Sequence, residues 1–267
     1  MLTCSALVVN VAGRSLVRDL TFHLAPGEVI GVLGPNGVGK TLTLHTLAGL
    51  RLPGHGSVLL GGDALGHLQR RQVAQRLGLL LQDDAETFPA TVLETTLMGR
   101  HPHRFGTGTE SADDLARART ALAAMGLEAF EARLVSTLSG GERRRLSLAR
   151  LLTQDPGVLL LDEPVNHLDP RHQIRVLRHI GALARAGRGV IMTLHDPTLA
   201  LRFASHALLL FPGGTWLLDT ARAALTPGNL ERLFSTPWEK YLNDRGDVAL
   251  FPGNLPTAAL DDPEPGS

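Results

Sequence analysis

The stretch Gly34-Pro35-Asn36-Gly37-Val38-Gly39-Lys40-Thr41 matches G-x-x-x-x-G-K-[ST] in full, and it constrains the fold more than any other part of the chain. It follows the apolar run Glu28 to Leu33. It precedes a segment carrying Leu42, Leu44, Leu47 and Leu50, which is expected to stop near Leu52-Pro53-Gly54. The order is therefore buried strand, glycine-rich turn, helix. Glycines let backbone N–H groups wrap phosphate oxygens, and the N-terminus of the following helix favours their charge. Lys40 is placed to reach β- and γ-phosphates, and Thr41 to ligate Mg²⁺. Only Lys40 and Lys240 are lysines in a chain whose positive charge is otherwise arginine, so the position of Lys40 stands out.

The rest of the chain supports an α/β fold. Residues 2–33 alternate apolar and polar around a turn at Ala12-Gly13, the pattern of antiparallel strands. Ser57–Leu60 and Leu77–Leu81 read as further strands. From about Asp83 to Asp155 the pattern is helical, with helices at Ala112–Met125 and Gly140–Thr153. Strand and helix then alternate again: Val158–Leu161, a helix from about Arg171 to Ala186, Val190–Leu194, and a helix after Pro197. The nearly continuous apolar runs at 158–161 and 190–194 are expected of parallel strands covered on both faces. Lys+Arg and Asp+Glu are balanced at 26 each, so no excess charge points to nucleic acid. A single cysteine, Cys4, excludes an internal disulfide framework. No apolar window is long enough to span a bilayer, and no signal peptide is evident, so a membrane role is expected to come through a partner. Residues from about 255, rich in Pro, Asp, Ala and Gly, are expected to be a disordered tail.

Three more constellations carry chemistry. Val158-Leu159-Leu160-Leu161 delivers Asp162 and Glu163 to the C-terminal end of a strand, where α/β sheets bind ligands. Asp162 suits Mg²⁺, and Glu163 suits a general base toward water. Thr193-Leu194-His195-Asp196 brings His195 to the same edge, and Gln82 follows another strand at a distance suited to Mg²⁺ or water. Finally, Leu138-Ser139-Gly140-Gly141-Glu142 starts a helix with a capping box, Ser139 paired with Glu142. Two glycines in a first helical turn need another reason, since each costs about 1 kcal/mol against Ala. The arginines that follow, Arg143 to Arg145, read as a solvated helix face.

Taken in order, the phosphate loop, LSGGE, Asp162-Glu163 and His195 resemble the ATP-binding subunits of ATP-binding cassette (ABC) proteins over roughly residues 2–235. The resemblance implies a P-loop NTPase of the ABC ATPase type: a mixed sheet core with an antiparallel β subdomain and an inserted α-helical subdomain at about 83–155. Residues 1–235 would form one nucleotide-binding domain and 236–267 a C-terminal extension. It implies ATP and Mg²⁺, with the loop from Gly34 to Thr41, Thr43 and Val11 at the nucleotide, and Thr41, Gln82 and Asp162 at the metal. Lys40, Gln82, Glu163 and His195 would be catalytic. The family pairs two such domains head to tail, so Leu138, Ser139, Gly140, Gly141, Glu142 and Asp169 would face nucleotide held by the partner. Glu142 stands where the commonest pattern has Gln, and Val11 where an aromatic usually stacks on adenine.

The phrase Thr91-Val92…Met98-Gly99-Arg100-His101-Pro102-His103 is similar to ATPases of iron-siderophore, haem and cobalamin importers, as is Leu225-Thr226-Pro227-Gly228-Asn229-Leu230. The implied assembly is a homodimer at the cytoplasmic face of a bacterial inner membrane. It is held there by two copies of an integral membrane permease that contact Gln82 to His103, and it is served indirectly by a periplasmic or surface binding protein. The competing expectation is a soluble ABC ATPase of the iron–sulfur assembly type. A DNA-handling relative would need long heptads or a basic stripe, and neither is present. His101 and His103 lack further ligands nearby, so a structural zinc site is rejected.

Overall fold

A computed structural model describes residues 1–82, 89–104 and 110–254. In chain order the elements are β1 (Leu2–Val11), β2 (Arg14–Leu24), β3 (Val29–Leu33), α1 (Lys40–Leu47), β4 (His55–Leu60), β5 (Asp63–Ala64), α2 (Arg70–Arg76) and β6 (Leu77–Leu80). Then come α3 (Val92–Leu97), α4 (Ala112–Met125), α5 (Gly140–Gln154), β7 (Val158–Leu161), α6 (Pro170–Arg185), β8 (Gly189–Thr193), α7 (Pro197–Phe203) and β9 (His206–Leu210). The chain continues through β10 (Trp216–Thr220), α8 (Ala221–Ala224), α9 (Pro227–Phe234), β11 (Trp238–Leu242) and β12 (Val248–Pro252).

The central sheet has the order β10-β9-β3-β8-β7-β6, parallel from β9 to β6 with β10 antiparallel at one edge. Its inner strands are apolar without interruption because both faces are covered. Within β3, Val29 and Leu33 enter a core with α4, α5 and α6, while Ile30 and Val32 enter a second core with β1, β2 and α1. Along β7, Leu159 and Leu161 face the first core and Val158 and Leu160 the second. The antiparallel sheet β2-β1-β4-β5 builds that second core. Its β1–β2 turn falls at Ala12-Gly13, both with positive φ.

Register decides where chemistry can gather. Leu80 pairs with Leu161, Leu161 with Met192, and Val32 with Thr193, so β6, β7, β8 and β3 end along one edge. The segments leaving that edge carry Gln82, Asp162-Glu163, His195 and the phosphate loop.

Three features depart from expectation. Helix α1 ends at Leu47, not near Leu52, because Gly49 adopts φ +71° and the Leu50 N–H turns back to the His45 carbonyl. Leu50 and Leu52 are exposed as a result. Residues 238–252 form a hairpin, β11–β12, which the sequence pattern did not announce; Thr198 at the start of α7 both donates to and accepts from the Leu250 backbone. Arg144 and Arg145 are buried instead of forming a solvated face. The expected tail from about residue 255 lies outside the described residues. Among those described, no helix is long and apolar enough to cross a membrane.

Candidate functional site

Gly34 opens the loop after β3 at a place no side chain would fit. A Cβ there would lie 2.6 Å from the Leu210 carbonyl oxygen and 2.9 Å from Val38. Gly39 precedes α1 with φ +109°, a conformation that strongly favours glycine. The Lys40 ammonium is held inside the loop, donating to the carbonyls of Gly34 at 2.7 Å and Pro35 at 3.1 Å. These two bonds use two of the three N–H groups that an ammonium carries. Burial pulls the Lys40 pKa below its ordinary value, against the opposing pull of Glu163 and Asp162. Thr43 is buried, its hydroxyl donating to the Gly39 carbonyl at 2.8 Å. A cleft of about 300 Å³ is lined by Asn36, Gly37, Gly39, Lys40, Thr41, Leu42, Gln82 and Glu163. Leu42 in that lining was not foreseen.

Across the cleft stand two carboxylates organised by one hydroxyl. Thr193 Oγ1 accepts from the Glu163 N–H at 2.7 Å and donates to Asp162 Oδ1 at 2.7 Å. Glu163 itself holds φ +48°, an unusual conformation for a residue with a side chain. Its Oε1 lies 2.6 Å from His195 Nε2, within hydrogen-bond distance. Its Oε2 accepts from Asn166 Nδ2 at 2.8 Å and, more loosely, from Gln82 Nε2 at 3.4 Å. A carboxylate oriented from three sides beside a phosphate cradle is suited to polarise a water molecule. The bonds of Thr193 and Asn166 to these two carboxyl residues escaped the sequence reading. The signal for Thr193 was a lone hydroxyl in an otherwise apolar strand.

Among the described residues Asp162 Oδ2 is buried without a hydrogen-bond partner, unlike Oδ1. Among the described residues no three acidic, His or Cys side chains gather to cage a metal alone. That donor set fits Mg²⁺, which keeps water and phosphate oxygens and takes one or two protein ligands.

The helix start at Ser139 is built as the sequence indicates. The Glu142 N–H donates to Ser139 Oγ at 3.3 Å, and the Ser139 N–H donates to Glu142 Oε2 at 2.7 Å. The Ser139 N–H holds the Glu142 carboxyl below the usual carboxylate range. Gly140 faces open space, whereas a Cβ on Gly141 would sit 3.3 Å from the His167 carbonyl oxygen. Leu138 is buried beneath this turn. Asp169 caps α6, accepting from the His172 N–H at 2.9 Å and from the His172 ring at 2.8 Å. These bonds, led by the backbone N–H, lower its pKa. Val11 is exposed at the end of β1, and the apolar side chain lying against Gly39 is that of Leu16. The structure thus gathers the phosphate loop, Gln82, Asp162, Glu163 and His195 at one edge.

The family model described as ABC transporter matches residues 17–166, more than half of the chain. This chain belongs to the ABC transporter family. It is 40% identical over 237 residues to the cobalamin import ATP-binding protein BtuD of Halobacterium salinarum, a match covering 87% of this chain. The chain spans only 58% of that relative's length. The hemin import ATP-binding protein HmuV of Gloeobacter violaceus is 39% identical over 241 residues, 88% of this chain and 87% of that one. A solved chain from an ABC transporter described as of metal-chelate type, in an inward-facing conformation, superimposes with a TM-score of 0.83 at 27% identity. That match covers 97% of this chain and 98% of the other. Within this ABC chain, the Met98–His103 turn is a joint as well as an exit from α3. Arg100 pairs with Asp114 at 2.7 Å, His103 bonds the Gln154 carbonyl at 2.8 Å, and Gln75 bonds the Pro102 carbonyl at 2.8 Å.

Proposed function

We propose that this chain is the ATP-binding and hydrolysing subunit of an importer for a cobalamin-, haem- or iron-siderophore-type substrate. It works as a head-to-tail homodimer on the cytoplasmic face of the inner membrane, beneath two copies of a permease fed by a periplasmic or surface binding protein. The observation that carries the reading is Glu163, fixed by His195, Asn166 and Thr193 at the mouth of the phosphate-loop cleft.

In this mechanism the loop N–H groups and Lys40 hold the phosphates, and Glu163 takes a proton from the attacking water. His195 keeps Glu163 in place and lies near the same water. Thr41, Asp162 and Gln82 would hold Mg²⁺, which supplies charge neutralisation on the phosphates. The second subunit contributes Ser139 to Gly141, whose helix N-terminus favours the γ-phosphate, and Asp169 near the interface. Met98 and His101 are exposed on the segment assigned to the permease. The similarity to hemin and cobalamin import proteins supports the substrate class.

Glu163→Gln tests this. The amide keeps the shape and loses the base, so hydrolysis should fall about 10²–10⁴-fold. An ATP-dependent dimer should accumulate, read by gel filtration. Hydrolysis at the wild-type rate would remove Glu163 as the base.

A further inference from the structure

The three arginines after LSGGE point to three different places. Arg143 is exposed and bonds the Leu138 carbonyl at 3.0 Å. Arg145 reaches sideways to the end of α4, donating to the carbonyls of Met125 and Gly126 at 2.9 and 3.1 Å. Arg144, only 8% exposed, turns toward the sheet. Its guanidinium donates to the carbonyls of Leu81 and Gln82 beyond β6, and to those of Asp162 and Glu163 beyond β7. The Gln82 and Glu163 contacts are 3.3 and 2.9 Å.

These four carbonyls lie past Leu80 and Leu161, the last paired residues of the two strands. Buried carbonyls at such a frayed edge must find donors elsewhere. A planar guanidinium offers five N–H donors in a fixed fork and can bond both strand ends together. A lysine ammonium is a compact point charge and cannot span them in the same way. The buried cation is tolerated because carbonyl dipoles surround it. Arg144 also lies on α5, about one turn from the glycines that open it. One side chain therefore fastens α5 to the backbone of Gln82 and Glu163 in the same subunit.

We propose that Arg144 is a positioning residue for hydrolysis, passing movement of α5 to the backbone of Gln82 and Glu163. A partner's nucleotide engaging Ser139 to Gly141 in one site thereby adjusts the base in the other. The coupling between sites rests on the dimer proposed above; the positioning of Glu163 does not.

The test uses full-length protein carrying Arg144→Gln or Arg144→Lys, with ATPase rate measured against ATP concentration. Binding of a fluorescent ATP analogue to the monomer is measured in parallel. Misplacing a reacting group by about 1 Å can cost on the order of 100-fold. Both variants should lose about tenfold or more in kcat, keep KM and monomer affinity close to wild type, and show a Hill coefficient falling toward 1. Arg144→Gln takes guanidinium donors from four carbonyls, of which that of Glu163 keeps the Asn166 N–H at 3.1 Å, and can fail to fold, so Arg144→Lys is the deciding variant. Wild-type kcat and Hill coefficient in Arg144→Lys would overturn the proposal. Gel filtration of Glu163→Gln with ATP reads the dimer separately. With no dimer there, the coupling is overturned, while a lowered kcat at unchanged KM still supports the positioning role.

Discussion

Two helices of this chain begin at glycines, and the glycines are there for different reasons. At the start of α1 the fold itself demands them. Gly34 has the Leu210 carbonyl oxygen and Val38 where a Cβ would go, and Gly39 sits at φ +109°. At the start of α5 Gly140 is ordinary helix with nothing within 4 Å of a Cβ. Alanine there would favour the helix by about 1 kcal/mol. The subunit's own packing therefore explains the first glycine and leaves the second unexplained. The head-to-tail pairing proposed above would supply the missing reason from outside the subunit. The same contrast runs through the surroundings: Lys40, Thr193, Asn166 and His195 already organise the phosphate-loop half, while the Ser139 half offers a bare, capped helix end.

The sharpest way to break this contrast is Ser139→Arg, which fills the bare end with a long side chain. Hydrolysis should drop by about 10²–10³-fold, the size of effect seen when an oriented donor is lost from a reaction site. ATP binding to the isolated monomer should stay unchanged by calorimetry or fluorescence. Weakened monomer binding would put LSGGE in its own subunit's site and end the distinction between the two halves.

Gly34→Ala probes the other side. Its Cβ meets backbone, which cannot swing aside as a flexible side chain can. Overpacking of this kind costs about 1–3 kcal/mol. The urea midpoint should fall, and the monomer's ATP affinity should fall with it because the loop shifts. An unchanged midpoint would show that the loop yields easily, so its glycines would need the same external explanation as Gly140.

The parts of this site that were legible in the sequence are those that occupy strand ends. Val158–Leu161 and Val190–Met192 announce parallel strands because both faces are buried, and the next polar residues then fall on the ligand edge. What escaped depends on neighbours in space. Thr193 is one hydroxyl in an apolar strand until β7 lies beside β8 and brings Asp162 and Glu163 to it. Arg144 and Arg145 read as surface because a charged run usually is. Their burial follows from unpaired carbonyls at strand and helix ends that no linear pattern displays. The β11–β12 hairpin escaped because its strands are largely exposed and lack alternation. The end of α1 was misplaced because Leu50 continued an apolar spacing that Gly49 had already stopped.

Gly140→Ala gives the smallest and most discriminating effect, because its two consequences have opposite signs. The methyl group enters open space, so nothing in the subunit resists it. Replacing a helical glycine removes unfolded-state freedom and should raise stability by about 0.5–1 kcal/mol. The urea midpoint should therefore rise where Gly34→Ala lowers it, with monomer ATP affinity unchanged. Hydrolysis should still fall severalfold, because the methyl stands where the helix end is expected to meet another subunit's phosphate. A more stable protein with full activity would mean that Gly140 is not kept for a partner's nucleotide. A more stable protein that hydrolyses poorly would mean that the chain gives up local stability for a site that only two copies can complete.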